Sequence, residues 1–252
     1  MKYRLFVHAI ILTTYLGIQT TPLQAQTPEV ADQYNQQAEI LFSQGQFQQA
    51  IETFQKALEA ERKNPTPRAE KLVAFTAFIG FCYFKLQQYE RSLEILQEAI
   101  DLAEKHQRQE DLPDLFSVIA LVYKYQDKNE QALLYYQKQL EASRNTKNNK
   151  EIITALTSLG GLHRYLGQYE EAIPYLQEAL TMAEKLGDNY SLANINWEMA
   201  QLYRSLKKPQ EALVYAQKAL QLSEVLVSQP LKDPNSVEEQ HWHRAYFHSL
   251  QN

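Results

Sequence analysis

The sequence predicts an all-α protein made of stacked helical hairpins. Its 252 residues include only 7 Gly and 9 Pro, whereas a β-sandwich or barrel needs a turn every 8–12 residues or so. Gln, Glu, Lys, Leu and Ala, which all favour helices, are abundant. A pattern of small residues also recurs about every 40 positions. With 44% apolar side chains, the chain has enough material for a packed core.

The first 25 residues have the layout of a secretory signal peptide. Lys2 and Arg4 precede a mostly apolar run over residues 5–18, a polar stretch follows, and Ala25 ends the segment. The run of 14 residues is shorter than the ~20 that a transmembrane helix needs. We expect cleavage after Ala25 and export to the periplasm or the extracellular space, with no stable membrane anchor afterwards. An uncleaved N-terminal anchor stays open as the alternative.

Three columns of mostly small residues define five copies of one repeat, spaced 42 and then three times 40 residues apart. The first column is Ala38, Gly80, Ala120, Gly160 and Ala200. The second, twelve residues later, is Ala50, Ser92, Ala132, Ala172 and Ala212. The third is Ala57, Ala99, Gln139, Ala179 and Ala219. Small residues at helical spacing mark where two helices cross closely, so each copy predicts a hairpin that buries its apolar face against its neighbours.

Turn and cap residues divide the chain into units. The second helix of each hairpin is expected to open at Phe47, Tyr89, Asn129, Tyr169 and Pro209. Thr66 with Pro67, Asp111 and Asp188 are the expected helix N-terminal signals. The repeats are then residues 29–63, 67–107, 111–145, 149–187 and 189–228, and a C-terminal capping helix is expected at 233–251.

The repeated pattern resembles the tetratricopeptide repeat (TPR) family, most clearly over residues 156–183 and 197–222. The repeat length is similar to the longer branch found in kinesin light chain and in Leu-Gly-Asn repeat scaffolds. The resemblance implies a right-handed superhelix of five hairpins, whose first helices line a concave groove that holds peptides or partner helices.

The sequence offers no chemistry that suggests an enzyme. It has no glycine-rich phosphate loop, no zinc-binding motif and a single cysteine, Cys82, in an otherwise apolar column. His241, His243 and His248 are interpreted as surface residues of the capping helix, because the first and last lie too far apart for one ion. We therefore expect no catalytic residue, no metal and no cofactor. The net charge of -5 does not favour nucleic acid as a partner.

The predicted groove carries a ladder of basic residues, Lys124, Arg164 and Arg204, one in each of the last three repeats. Tyr125 and Tyr165 stand beside it. Further candidate anchors for a partner are Trp197 at one end and Phe81 and Phe84 at the other. Adjacent helices lie about 8–10 Å apart and an extended chain rises about 3.3 Å per residue, so the ladder matches acidic groups at roughly every third residue. Alternatively, these bases are only solvated, or pair with acidic residues of adjacent repeats.

These features predict an exported, non-enzymatic scaffold that binds a partner protein or peptide, with an acidic extended segment, in the concave groove. The alternative is a structural subunit of a larger envelope or secretion assembly. Such a subunit would dock through its outer face, with Leu134, Tyr135 and Val214 as candidates, or through the C-terminal helix. The oligomeric state and the identity of the partner stay open.

Overall fold

The computed structural model describes residues 28–228, in which the chain forms ten α-helices and one short 3-10 helix. The helices are α1 Pro28–Ser43, α2 Phe47–Arg62, α3 Ala69–Lys85, α4 Tyr89–Lys105, α5 Leu112–Tyr125, α6 Asn129–Thr146, α7 Asn149–Tyr165, α8 Tyr169–Leu186, α9 Asn189–Ser205 and α10 Pro209–Ser228. The 3-10 helix Gln109–Asp111 precedes α5. The signal peptide, the capping helix and the three C-terminal histidines of the sequence prediction lie outside the described residues.

Consecutive helices pair into five hairpins, α1 with α2 through to α9 with α10, and each hairpin packs on the next. All five second helices begin at the residues predicted for them. The core runs through the stack as three clusters of buried residues that share neighbours, such as Phe42 and Tyr135. This continuous packing confirms the all-α solenoid. None of the helices in the described part is both long and apolar enough to cross a membrane.

The small-residue columns lie where the two helices of a hairpin cross. A Cβ at Gly80 would sit 2.8 Å from Leu96 Cγ, and one at Gly160 would sit 2.6 Å from Leu176 Cγ. The buried Ser92 hydroxyl donates to the Gly80 carbonyl at 2.8 Å across the same crossing. The glycines therefore allow the two helices of these hairpins to approach closely. In the repeats with alanine in this column, the column of Leu96 and Leu176 holds Phe54, Tyr136 and Ala216 instead.

Each hairpin turn places one residue in the left-handed region, and these residues form a further column. They are Gly45, Gln87, Asp127, Gly167 and Lys207, with φ between 56° and 75°. Glycine adopts this conformation without a Cβ clash, whereas the other residue types meet a steric cost of about 1–2 kcal/mol. The turn is thus imposed by helix packing in every repeat and not by the residue alone.

The connector between the first two hairpins differs from the later ones. Gln107, Lys147 and Gly187 end later repeats in the left-handed region, but Pro65 stands at the equivalent position, and its ring holds φ near −65°. The chain therefore takes a longer path, which accounts for the spacing of 42 residues instead of 40. The prediction that Thr66 caps the next helix and Pro67 begins it was wrong. Arg68 is the N-cap residue and the helix begins at Ala69.

The other two predicted caps have different outcomes. The Asp188 carboxylate accepts from the backbone N–H groups of Tyr190 and Ser191, as predicted. Asp111 precedes α5, but its carboxylate makes no capping hydrogen bond. It pairs instead with the Arg108 guanidinium, because the 3-10 helix Gln109–Asp111 leaves the carboxylate next to that side chain. Asn148, which the sequence prediction missed, caps α7.

Candidate functional site

The first helices of the hairpins, α1, α3, α5, α7 and α9, form a layer of their own through side chains that reach from one helix to the next. We call the surface of this layer the inner face. Phe42 of α1 lies 5.6 Å from Phe81 of α3, measured between ring centres. Arg164 of α7 bonds to Glu198 of α9. The inner face is where the predicted site residues meet.

A row of aromatic rings crosses the first three repeats of the inner face. Phe42, Phe81, Phe84 and Tyr125 follow one another with ring centres 5.1–5.7 Å apart. Phe81 and Phe84, the two candidate anchors at this end, are buried and present no exposed ring to a partner. Both pack into the core, and the Phe84 ring meets the Tyr125 ring in a T-shaped arrangement.

Three of the aromatic residues proposed to contact a partner are exposed to solvent. The exposed fractions are 46% for Tyr125, 55% for Tyr165 and 52% for Trp197. The Tyr165 hydroxyl donates to the Asp127 carboxylate of the preceding repeat at 3.3 Å, which fixes its ring across the gap between α5 and α7. Aromatic side chains exposed on one face supply large contact areas at low conformational cost.

The middle base of the predicted ladder is already paired within the protein. Arg164 Nε donates to Glu198 Oε2 at 2.9 Å, and both side chains are about one-fifth to one-quarter exposed. The carboxylate lies against Gly161, where an added Cβ would be in ordinary contact with it at 3.4 Å. For Arg164, the alternative of pairing between adjacent repeats is therefore what the structure shows.

The outer two bases of the ladder are not paired in this way. Neither Lys124 nor Arg204 forms a salt bridge with any of residues 28–228. Lys124 is half-buried and its ammonium lies 5.7 Å from the centre of the Tyr165 ring, whereas Arg204 is exposed. Burial lowers the pKa of Lys124, the Glu198 carboxylate opposes that shift, and the charge of Arg164 adds to it.

Sequence reasoning missed two acidic residues of the inner face, Glu198 and Asp127. Glu198 is the charged member of a column that otherwise holds Gln36, Phe78, Val118 and Ser158. Aligning that column with the basic ladder would have placed Glu198 one repeat after Arg164. Asp127 lies in the left-handed turn after α5, and no other repeat has an acidic residue in that column, so the repeat pattern gave no signal for its charge.

Two candidate kinds of reactive group, the single cysteine and metal-binding clusters, can be checked in the described residues. The Cys82 side chain is buried, and burial raises the pKa of its thiol to about 12, far from that of a nucleophile. Among residues 28–228, no group of three His, Cys, Asp or Glu side chains is arranged to hold a metal ion. The inner face is the candidate binding surface, because it has exposed aromatic rings and both paired and unpaired basic residues.

The tetratricopeptide repeat family model matches residues 29–105, 111–185 and 151–225, which together cover most of the chain. The chain belongs to the tetratricopeptide repeat family. No curated protein sequence matches this TPR protein at a significant level.

Solved structures with the same fold include several TPR proteins of low sequence identity. BtubC (BKLC) from P. vanneervenii is 16% identical, with a TM-score of 0.68 over 84% of this chain and 86% of that one. Kinesin light chain TPR-like repeats from Podosopora anserina are 17% identical, with a TM-score of 0.61 over 80% and 99%. A Rap protein complexed with competence and sporulation factor is 20% identical, with a TM-score of 0.64 over 76% of this chain and 53% of that one. At these identities the likeness shows the fold.

Proposed function

We propose that this TPR protein is an exported, non-enzymatic scaffold that binds an acidic, extended segment of a partner protein along its inner face. The observation that carries the proposal is the juxtaposition of exposed Tyr125 and Tyr165 with the unpaired ammonium of Lys124. Arg204 extends the positive charge by two repeats. Exposed rings beside a desolvated cation suit a ligand that has both carboxylates and apolar side chains.

The family supports the binding part of this proposal. TPR proteins bury their repeats against one another and leave an extended surface free for a ligand. Two Rap structures match over about half their length, one complexed with competence and sporulation factor and the other with the Phr* peptide. The proposal that this chain binds a peptide segment depends on its own inner-face residues, since the identity to either is at most 20%.

The export part of the proposal depends on residues 1–25 alone. N-terminal sequencing of the mature protein, after expression of the full chain in a bacterium with two membranes, tests it directly. We expect a new N-terminus at Gln26 and recovery in the periplasm or medium. An intact Met1 on protein recovered from the membrane fraction would instead support the uncleaved anchor.

Affinity capture from the envelope and medium of the exporting cell tests the binding site. The variant Lys124→Glu, Arg164→Glu, Arg204→Glu reverses the ladder. The matched control changes three exposed lysines of second helices, Lys56→Glu, Lys105→Glu and Lys185→Glu, and alters the net charge equally. We expect a partner that the control retains and the ladder variant loses, with circular dichroism showing that both are folded. Equal capture by both variants would contradict binding at the inner face.

One observation favours the second candidate, a structural subunit that docks through its outer face. Leu134 and Val214 are each about half exposed, and exposed Pro174 stands between them in the same column of the second helices. This strip is apolar only in the last three repeats, because Glu52 and Glu94 hold the column in the first two. Loss of the captured partner from Leu134→Gln, Val214→Gln, with retention by the ladder variant, would favour this candidate.

A further inference from the structure

We infer that Glu198 acts as a built-in ligand of the inner face, which removes Arg164 from recognition and sets the spacing of acidic residues that the groove accepts. This inference builds on the proposed function, because it concerns which acidic segments bind there. It rests on three inner-face groups, the Arg164 guanidinium, the Glu198 carboxylate and the Lys124 ammonium.

The Glu198 carboxylate already pairs with Arg164 and offsets its positive charge. Its Oε2 accepts from Arg164 Nε at 2.9 Å, and it lies over Gly161, where a Cβ would come within 3.4 Å. Both partners are largely shielded from solvent, so the pair is stronger than an exposed one. An incoming carboxylate therefore gains little from the charge of Arg164 while Glu198 is paired with it.

Removing Arg164 from the ladder leaves the two bases at its ends. Lys124 and Arg204 are 80 residues apart in the sequence, which is two repeats. With neighbouring helices about 8–10 Å apart, the two charges are separated by about 16–20 Å. An extended chain rises about 3.3 Å per residue, so it reaches both with acidic residues about five or six positions apart. A spacing of about three residues fits only when Arg164 is available.

Glu198 also reduces the positive electrostatic potential that an acidic ligand encounters at the inner face. Its negative charge acts on Lys124 as well as on Arg164. Replacing it with Gln keeps the size and a hydrogen-bond acceptor for Arg164 but removes the negative charge. The wild-type groove thus accepts a widely spaced pair of carboxylates, and the Glu198→Gln groove also accepts a closely spaced pair.

Fluorescence anisotropy with labelled peptides of equal length tests the inference on the full chain. One peptide has two glutamates three positions apart, a second of the same charge has them six apart, and an uncharged third has none. We expect wild-type protein to prefer the six-residue spacing. We expect Glu198→Gln to bind the three-residue spacing about tenfold more tightly than wild type does, the effect of one added charge-assisted hydrogen bond. Glu94→Gln, an exposed position on α4, is the control and should match wild type.

A charge-neutral double variant separates competition from a structural role. Arg164→Gln, Glu198→Gln removes the whole pair, and we expect its affinity for the six-residue spacing to stay within about twofold of wild type. Lys124→Gln or Arg204→Gln should each weaken that peptide about tenfold. Thermal unfolding confirms that each variant is folded.

The outcomes distinguish this inference from the proposed function. If neither acidic peptide binds wild type or Glu198→Gln better than the uncharged peptide does, the proposed acidic ligand is wrong. If acidic peptides bind but Glu198→Gln leaves the spacing preference unchanged, or weakens every peptide, the role of Glu198 is overturned and the proposed function stands.

Discussion

The Glu61 carboxylate is fully buried and holds Arg68 by three of its donors. Oε1 accepts from the Arg68 backbone N–H at 2.7 Å, and Oε2 accepts from Nη2 at 2.6 Å and Nε at 3.1 Å. Arg68 also reaches back to Asp32 of α1 at 2.9 Å. In later repeats the column of Glu61 holds Ala103, Ser143 and Ala183. The buried acid thus compensates the Pro65 connector, because it satisfies the N–H of the residue that precedes α3.

We expect Glu61→Gln to destabilise the protein by about 3 kcal/mol, because it leaves part of a buried ion pair without its counter-charge. Burial alone raises the pKa of Glu61, but the hydrogen bonds from Arg68 outweigh it, so the pKa lies below its ordinary value of 4.5. The stability that Glu61 contributes is therefore present above pH 4.5 and is lost as the pH falls through the lowered value. Urea unfolding of wild type and Glu61→Gln at pH 7 measures the loss of stability. The same comparison at pH 3–4 measures how much of it disappears in acid.

The exposed ion pair of Glu59 with Lys63 provides the control for Glu61. Glu59→Gln should leave the free energy of unfolding almost unchanged, because both partners are exposed and solvent screens their attraction. Equal losses for the two variants would show that the connector does not depend on the buried carboxylate.

Adjacent glycines in α7 should respond in opposite ways to the same substitution. Gly160→Ala places a methyl group 2.6 Å from the position of Leu176 Cγ, and we expect a loss of about 1–3 kcal/mol from overpacking. Gly161→Ala meets only the Glu198 carboxylate at 3.4 Å, and helix propensity should stabilise it by up to about 1 kcal/mol. Thermal and urea unfolding of the two variants test the pair, and an equal response would mean that the crossing is not as close as the structure has it.

The turn after α9 should become more stable when Lys207 is replaced by glycine. Lys207 has a φ of 58° and is exposed, so Lys207→Gly relieves the left-handed strain and removes no packing. After allowing for the greater freedom of glycine in the unfolded chain, we expect a gain of about 0.5–1 kcal/mol. The reciprocal change Gly167→Ala, at a φ of 75° with open space around it, should lose about 1 kcal/mol. A gain from Gly167→Ala would rule out the explanation by backbone strain.

Glu151 in the first turn of α7 should make stability depend on pH in the opposite sense to Glu61. Burial, with the nearby charge of Asp114, raises the pKa of Glu151 to about 7, while the hydrogen bond from Asn148 acts against the shift. Because the folded state holds this proton to higher pH than the unfolded chain, its contribution to the free energy of unfolding falls from pH 4.5 to about 7 and is constant above.

Replacing Glu151 by Gln should remove that pH dependence and raise stability at pH 8 by about 1 kcal/mol, since partial exposure reduces the full effect. The amide retains an acceptor for Asn148, which bonds to Glu151 at 2.6 Å. Glu171→Gln, at the equivalent exposed position of α8, is the control and should lose a few tenths of a kcal/mol through the helix dipole. A variant at Glu151 that is less stable at pH 8 than wild type would contradict the prediction.

The repeat pattern predicted most of the architecture, because each copy repeats the same packing problem. The starts of all second helices and the crossings at Gly80 and Gly160 were found correctly, since a small residue in a fixed column has few alternatives in a stacked hairpin. The start of α3 after the first connector was predicted wrongly, because Thr66 and Pro67 have the local features of a helix start. The buried Glu61 carboxylate fixes the helix start at Ala69, one residue after Arg68.

The site was predicted less completely than the fold. A column shows which helix face a residue occupies, and it placed Tyr125, Tyr165 and Trp197 on the surface correctly. It does not show how deeply that face is covered. Phe84 shares a column with Lys124, yet it is buried because Phe81 and Tyr125 pack on both sides of it.

The sequence by itself determined the helical hairpins, their number within residues 28–228 and their order, because those follow from periodicity and from the size of residues at helix crossings. Only the tertiary structure decided which charges of the inner face are available. Arg164 and Glu198 are 34 residues apart, and no local pattern couples them. They meet because two helices from neighbouring repeats lie side by side.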